Sequence, residues 1–313
     1  MKGVLGIDDL RGIGSIVAEG CDVGNLLPLV EPRVVIDSRM VTGGEVFVAL
    51  AGEQTDGHRY VDEVFSRGAL WAVVSEAWYA TRPEARDTAP RRYLVVADTV
   101  AALQQMASVY RGTFSVPVLG VGGSNGKTTT KELLASVLAT VFRVQMSCGN
   151  RNNHLGVPLT LLQMKRDTEL AVVEMGINRP GEMELLVSIA RPTHALLTNI
   201  GHEHLEFLHD LAGVAEAESA LYRYVDRNGG TCFVNIADPW LARAAAGLQR
   251  TVRYGLDHCQ RGVPHAEDIT LDVLGRPSFR LCLGAERQQV SLKLVGRHNV
   301  LNSLSAKDRK SVV

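Results

Sequence analysis

The sequence predicts an α/β protein in two parts: a small N-terminal α/β domain, then a doubly wound, mostly parallel sheet with an appended antiparallel hairpin. Three observations carry this. Short, Val-rich apolar runs bounded by turn residues recur along the chain, the pattern of buried strands. Runs with helical spacing lie between them, and continuous apolar strands alternating with helices argue a parallel sheet covered on both faces. The length, 313 residues, suits two domains.

In the first part, residues 34–37, 45–50, 70–74 and 93–97 read as buried strands. Residues 60–67 and 100–110 carry helical spacing, and the Pro- and Arg-rich stretch 79–92 reads as a surface loop. The domain is expected to span residues 1–112, with the second covering 113–313. That second part opens with a strand at 116–121, a glycine-rich turn at 122–126 and a helix at 127–141. Strand-then-helix recurs at 170–176 with 182–189 and at 195–200 with 214–225, and a strand at 232–236 follows. Near the end ITLDVL, SFRLCL and QQVSLKL alternate in polarity like antiparallel strands.

Composition narrows the function classes. Hydrophobic residues make up 46% and charged residues 21%, as in a globular chain with a sizeable core. Lys and Arg total 33 against 34 Asp and Glu, so no global field draws nucleic acid or an anionic membrane. The five cysteines, Cys21, Cys148, Cys232, Cys259 and Cys282, are scattered without a C-x-x-C pair. They read as reduced core thiols of a cytosolic protein and argue against a zinc site built from cysteine. The opening MKGVLGIDDLRG carries acids where a signal peptide needs apolar residues, and no apolar run approaches the ~18 residues of a membrane span.

GGSNGKTTT follows a strand and opens a helix, the context of a phosphate loop. Backbone N–H groups of Gly123, Ser124, Asn125 and Gly126 can converge on phosphate oxygens, and the helix N-terminus adds partial positive charge. Lys127 would reach the β- and γ-phosphates, Thr128 would supply a hydroxyl to Mg²⁺, and Thr129 continues the loop. The common motif has glycine where this chain has Val121, so the loop is a variant form or a glycine-rich turn with a chance Lys-Thr. ATP binding is the expectation.

Glu174 ends the next strong strand, where open α/β sheets place their ligand crevice, and suits Mg²⁺. His204 follows a further strand end, within NIGHEHLEFLH. The spacing there matches no H-E-x-x-H pattern, and His202 and His209 read as surface residues. In GNRNNHLGVPLTLL the asparagines suit amide and sugar recognition, or merely cap the helix that Pro158 begins.

Together these stretches resemble the Mur ligase family, over nearly the whole chain. The N-terminal likeness lies in DSR, GGEVFVALAGEQTDGHRY and RGALWAVV; the central likeness lies in GSNGKTTTKE, GNRNNHLGVPLTLL, VVEMGINRPGEM, TNIGHEHLEF and GRHNVLN. The run GNRNNHLGVPLTLL with EMGINRPGEM favours the dipeptide-adding branch over the branch adding the third residue. The resemblance implies an N-terminal uridine-nucleotide domain and ATP-driven ligation through an acyl phosphate. UDP-N-acetylmuramoyl-tripeptide and D-alanyl-D-alanine would be the substrates of a cytoplasmic monomer in peptidoglycan synthesis. It implies Glu174 and His204 as Mg²⁺ ligands, Asn235, Asn299 and Asn302 lining the nucleotide pocket, and Asn150, Asn152, Asn153 and Arg179 facing substrate. Asp37, Ser38, Arg39, Asp56 and His58 would serve the uridine end.

Two departures from the family pattern stand out. Where most members carry a carbamylated lysine, this chain has Glu218, which reads as a second metal ligand or as a solvated glutamate like Glu216. Where threonine is usual, Gly122 stands, expected to loosen the loop. The chain also stops soon after GRHNVLNSLSA, so an incomplete ligase lacking the family's third domain is the expectation. DRKSVV back-translates to a sequence resembling a sequencing-library adapter, which strengthens that expectation.

Overall fold

The computed structural model describes residues 1–20, 22, 26–52, 55–82, 90–203, 205–256 and 263–305. The chain divides into two compact units, Met1–Ser115 with Pro158–Arg166, and Val116–Val157 with Asp167–Val313.

In the first unit, β1 (Val4–Leu5), α1 (Ile7–Arg11), β2 (Ser15–Glu19) and β3 (Leu29–Val30) precede β4 (Val34–Val35) and β5 (Val46–Val48). Then come α2 (Val61–Ser66), β6 (Trp71–Ser75), α3 (Glu76–Thr81), β7 (Arg91–Val96) and α4 (Thr99–Gly112). The sheet order is β2-β7-β6-β5-β4, parallel except at β2, while β1 pairs separately with β3. Phe47, Ala72, Val74 and Tyr93 pack the core against Val61 and Val64 of α2. The expected loop at 79–92 is corrected at both ends. Ser75 caps the start of α3 through its hydroxyl, and the helix runs on to Thr81. At the other end Arg91 starts β7 because its guanidinium is buried against Asp62 and over the Phe65 ring. Residues 83–89 lie outside the described residues.

The second unit holds β8 (Val118–Gly122), α5 (Lys127–Leu138), β9 (Val144–Met146), α6 (Gly156–Leu162), β10 (Leu170–Glu174) and α7 (Glu182–Ala190). It continues with β11 (His194–Leu197), α8 (Leu205–Leu208), α9 (Leu211–Arg227), β12 (Thr231–Asn235), α10 (Pro239–Ala244) and β13 (Thr251–Leu256). The last elements are β14 (His265–Leu271), β15 (Pro277–Leu283), β16 (Glu286–Ser291) and α11 (His298–Leu304). α6 starts in this unit and ends in the first.

One sheet runs β16-β15-β14-β13-β12-β11-β8-β10-β9. It is parallel from β9 through β14, and β14, β15 and β16 form the antiparallel appendage. Leu119, Val121, Val172, Leu196 and Phe233 form its core with Leu134 and Leu138 of α5. Strand order reverses at β8, whose neighbours are β10 on one side and β11 on the other. A doubly wound sheet opens its ligand crevice at such a switch point, beyond the strand C-termini. Among the described residues no helix is long and apolar enough to cross a membrane.

Candidate functional site

The glycine-rich turn after β8 uses its backbone in two ways. Its first N–H groups are tied down within the protein. Gly123 N–H donates to Glu218 Oε2 at 2.8 Å, Ser124 N–H to the Asn199 carbonyl at 2.9 Å, and Asn125 N–H to Asn199 Oδ1 at 3.1 Å. Gly126 then caps α5 at φ +83°, a left-handed conformation that glycine adopts without strain. Helix geometry gives the N–H groups of Lys127, Thr128 and Thr129 no acceptor inside α5, so they face outward for an anion. A Cβ on Gly126 would lie 3.0 Å from the Asn302 side chain, which puts α11 directly beneath the turn. Asn302 is held there by Asn299 Oδ1, and Asn299 in turn donates to the Val295 carbonyl. Lys127 lies across the loop, Nζ donating to the carbonyls of Gly123 (2.6 Å) and Ser124 (2.8 Å), with Glu203 at 4.0 Å.

At the mouth of β10, Glu174 gathers three side chains. Its Oε1 accepts from the Thr128 hydroxyl at 3.0 Å and from Asn152 Nδ2 at 2.9 Å. Lys131 Nζ stands 3.5 Å from Oε2, an ion pair without hydrogen-bond geometry, and donates to the Gly149 carbonyl. Lys131 and Glu174 are buried, and Oε2 accepts no hydrogen bond among the described residues. Thr128 Oγ1 and Glu174 Oε1 are hard oxygens of the kind Mg²⁺ takes, while Oε2 faces the Lys131 ammonium, so a cation there would share the carboxylate with Lys131. His204 lies outside the described residues.

The two departures from the family pattern sit together in the structure, and of the two readings of Glu218 burial removes the solvated one. Glu218 is 3% exposed, so it is no solvated helix residue; Glu216, two positions away, is exposed and pairs with Arg223 at 3.0 Å. Burial pushes the Glu218 carboxyl up to about 7, with the Lys127 charge and the Gly123 N–H pulling the other way. Gly122 ends β8 at the start of the loop. It is buried in β8, and a Cβ there would stand 2.8 Å from both Glu218 Oε2 and Leu197 Cδ2.

The remaining candidates fall into place unevenly. Asn235 donates to the Thr198 carbonyl, bracing the ends of β11 and β12. Asn153 caps α6, its Oδ1 accepting from Leu155 and Gly156, while Asn150 is exposed. Arg179 is exposed with its guanidinium over Phe207.

In the first unit, Asp37 caps the turn that buries Ser38, and the Arg39 hydrogen bond pulls the Asp37 carboxyl down to about 2. His58 Nε2 accepts the Ser75 N–H at 2.9 Å, so the ring hydrogen is on Nδ1, 2.6 Å from Asp56 Oδ1. A cavity of about 570 Å³ opens beside them, at the C-terminal ends of β5, β6 and β7, lined by Ala51, Asp56, His58, Ser75, Trp78 and Asp98 among others. This is where a parallel sheet takes its ligand.

Sequence reasoning missed Lys131, Asn199 and Ser147, whose hydroxyl accepts the Glu174 N–H at 3.0 Å. The signal for Lys131 was its register: it falls on the apolar stripe of α5 with Leu134, Ala135 and Leu138. Among the described residues one His/Glu/Cys group, His265, Glu267 and Cys282, brings ligand-type atoms within 4.8 Å. Glu267 already faces Arg280 at 3.6 Å and Arg287 at 3.9 Å, which opposes a cation there. Cys148, Cys232 and Cys282 are free thiols; Cys21 and Cys259 lie outside the described residues.

A glycine-rich turn at the switch point, a lysine on the loop and a carboxylate–hydroxyl pair beside it define a phosphate-loop α/β protein. Family models agree: residues 121–307 match the Mur ligase middle domain and residues 33–111 the Mur ligase family catalytic domain. The chain belongs to the Mur ligase family. It is 34% identical over 275 residues to the UDP-N-acetylmuramoyl-tripeptide–D-alanyl-D-alanine ligase of Bacillus subtilis, covering 87% of this chain and 57% of that protein. The crystal structure of MurF from Acinetobacter baumannii superposes with a TM-score of 0.80 at 30% identity, covering 97% of this chain and 64% of that one. MurF from Thermotoga maritima, solved in complex with ADP, gives 0.74 at 29% identity, covering 88% and 62%. The chain therefore spans less than two thirds of the length of these relatives.

Proposed function

We propose that this chain carries the nucleotide- and UDP-substrate-binding portions of an ATP-dependent ligase that adds D-alanyl-D-alanine to UDP-N-acetylmuramoyl-tripeptide. The observation that carries the reading is the Thr128–Glu174–Asn152 hydrogen-bonded group set against the outward N–H groups of α5. A carboxylate is a poor electrophile, and phosphorylation gives it a leaving group; the dipeptide amine then attacks the acyl phosphate. In that step Lys127 offsets charge on the transferring phosphoryl group, and the α5 N-terminus orients the phosphates. Thr128 and Glu174 would hold Mg²⁺, with His204 as the further ligand the family pattern implies; when bound, the ion supplies positive charge beside the phosphates. The cavity beside His58 and Ser75 suits the uridine end of the UDP substrate. The similarity to a UDP-N-acetylmuramoyl-tripeptide–D-alanyl-D-alanine ligase supports the tripeptide over a shorter stem as the activated substrate.

The test incubates the chain with ATP, UDP-N-acetylmuramoyl-tripeptide and D-alanyl-D-alanine, and titrates ADP and the UDP substrate separately. Saturable binding of both ligands, with any phosphate release depending on both cosubstrates, supports the reading. Binding of neither ligand overturns it.

A further inference from the structure

We propose that Glu218 is a positioning residue of the phosphate loop, and that it works only because residue 122 has no side chain. Gly122 is not among the residues at positive φ, so its backbone does not require glycine. What requires glycine is space. A Cβ at this position would meet Glu218 Oε2 at 2.8 Å, Leu197 Cδ2 at 2.8 Å and Met183 Cε at 3.4 Å. Leu197 and Met183 offer flexible ends that can yield. The Glu218 carboxylate cannot, because the same oxygen accepts the Gly123 N–H at 2.8 Å.

A carboxylate buried this deeply must be hydrogen-bonded to be tolerated. The Gly123 N–H supplies that bond, so loop and helix each satisfy the other. The consequence for the loop is mechanical. Gly123 is held from α9 by Glu218, and Ser124 and Asn125 are held by Asn199, so three successive peptide units are fixed before the chain turns into α5. The N–H groups left for an anion belong to the helix start, and their direction depends on these anchors. A side chain at 122 would push the carboxylate off Gly123, and loss of the carboxylate would release it. The two positions therefore act as one unit, far apart in sequence but energetically coupled. The functional part of this inference rests on the nucleotide-binding reading above; the contact itself does not.

The experiment is a double-mutant cycle on the 313-residue chain: Gly122→Ala, Glu218→Ala and both together. ADP affinity is measured with Mg²⁺, and the Gly123 amide resonance is followed by NMR without nucleotide. With Glu218 in place, Gly122→Ala should weaken ADP binding about tenfold; in the Glu218→Ala background the same change should cost less than about threefold. The Gly123 amide proton, downfield against a carboxylate, should move upfield on Glu218→Ala and also on Gly122→Ala. Glu218→Gln keeps an acceptor oxygen, so it should hold the amide resonance nearer its wild-type position than Glu218→Ala does. Equal penalties in both backgrounds, or an amide resonance indifferent to Glu218→Ala, overturn the proposal. If the unaltered chain binds no ADP, the nucleotide reading fails, while the amide resonance still decides whether Glu218 holds Gly123.

Discussion

The Lys131 ammonium sits 3.5 Å from Glu174 Oε2, both side chains out of solvent, so a buried charge pair underlies the phosphate loop. Such a pair adds little net stability over an apolar substitute, but breaking it is costly because one charge is left in a dry place. Oε1 of the same carboxylate receives Thr128 and Asn152, so the pair sets the orientation of both.

Glu174→Ala leaves Lys131 with the Gly149 carbonyl and the half-exposed Glu132 as its partners. The expected loss of stability is about 3 kcal/mol, the lower end for a broken buried pair. Lys131→Met should cost a similar amount, because it leaves Glu174 Oε2 buried without a partner while Oε1 keeps its two donors. Urea unfolding of both variants checks this; losses below about 1 kcal/mol in both would contradict the pair's role.

Lys127→Ala behaves differently. Its Nζ hydrogen-bonds loop carbonyls, and its charge is needed chiefly by a ligand. The thermal midpoint should fall by only about 2–4 °C, the cost of roughly 1 kcal/mol for its hydrogen bonds to the loop carbonyls. ADP affinity should fall roughly tenfold or more, the loss of one charge-assisted contact. Calorimetric titration decides it, and unchanged affinity would remove the loop from the binding site.

The contrast between Lys127 and Lys131 shows what the sequence could carry. Lys127 was legible because strand, glycines and helix are local signals whose meaning lies within a dozen residues. The same locality made β8, β10 and β12 readable as continuous apolar runs. Lys131 was harder to read: its register on the apolar stripe of α5 was the one signal, while its partner Glu174 lies far away in sequence on β10 and a helical lysine ordinarily reads as solvated. Gly122 was hard to read for the same reason, since the space beside it is filled from α9, β11 and α7 by Glu218, Leu197 and Met183. Edge and short elements were lost too. β9 has three residues, β13 mixes polarity, and α3 ends inside a stretch whose prolines and arginines argued for a loop. Burial against Asp62 turned Arg91 into a strand residue, a fact of packing that no local pattern encodes.

In the first unit, His58 links two elements by accepting the Ser75 N–H and pairing with Asp56. His58→Ala orphans that N–H and leaves a gap in a buried position, so the expected cost is about 2–3 kcal/mol. ADP affinity at the loop of the second unit should not change. A drop in affinity for the UDP substrate should accompany the destabilisation, because His58 lines the cavity. Unfolding curves with paired ligand titrations test it, and stability within about 0.5 kcal/mol of wild type would contradict the bridging role.

The last prediction follows from the Glu218 carboxyl, which burial pushes from 4.5 up to about 7. The folded chain therefore holds this proton more tightly than the unfolded chain does. For a group raised in the folded state, the stabilising contribution is full below about pH 4.5 and is lost as pH rises through about 7. At about 1.4 kcal/mol per unit, the loss across that window is on the order of 3 kcal/mol. Glu218→Gln removes the titration, so its stability should change less between pH 5 and 8 while the wild type declines relative to it. Glu216 is exposed and paired with Arg223, so Glu216→Gln should give a curve parallel to wild type. Chemical denaturation at several pH values, without nucleotide or divalent cation, separates the three. Parallel curves for wild type and Glu218→Gln would mean that Glu218 stays ionised throughout, its charge already compensated by the Gly123 N–H and Lys127.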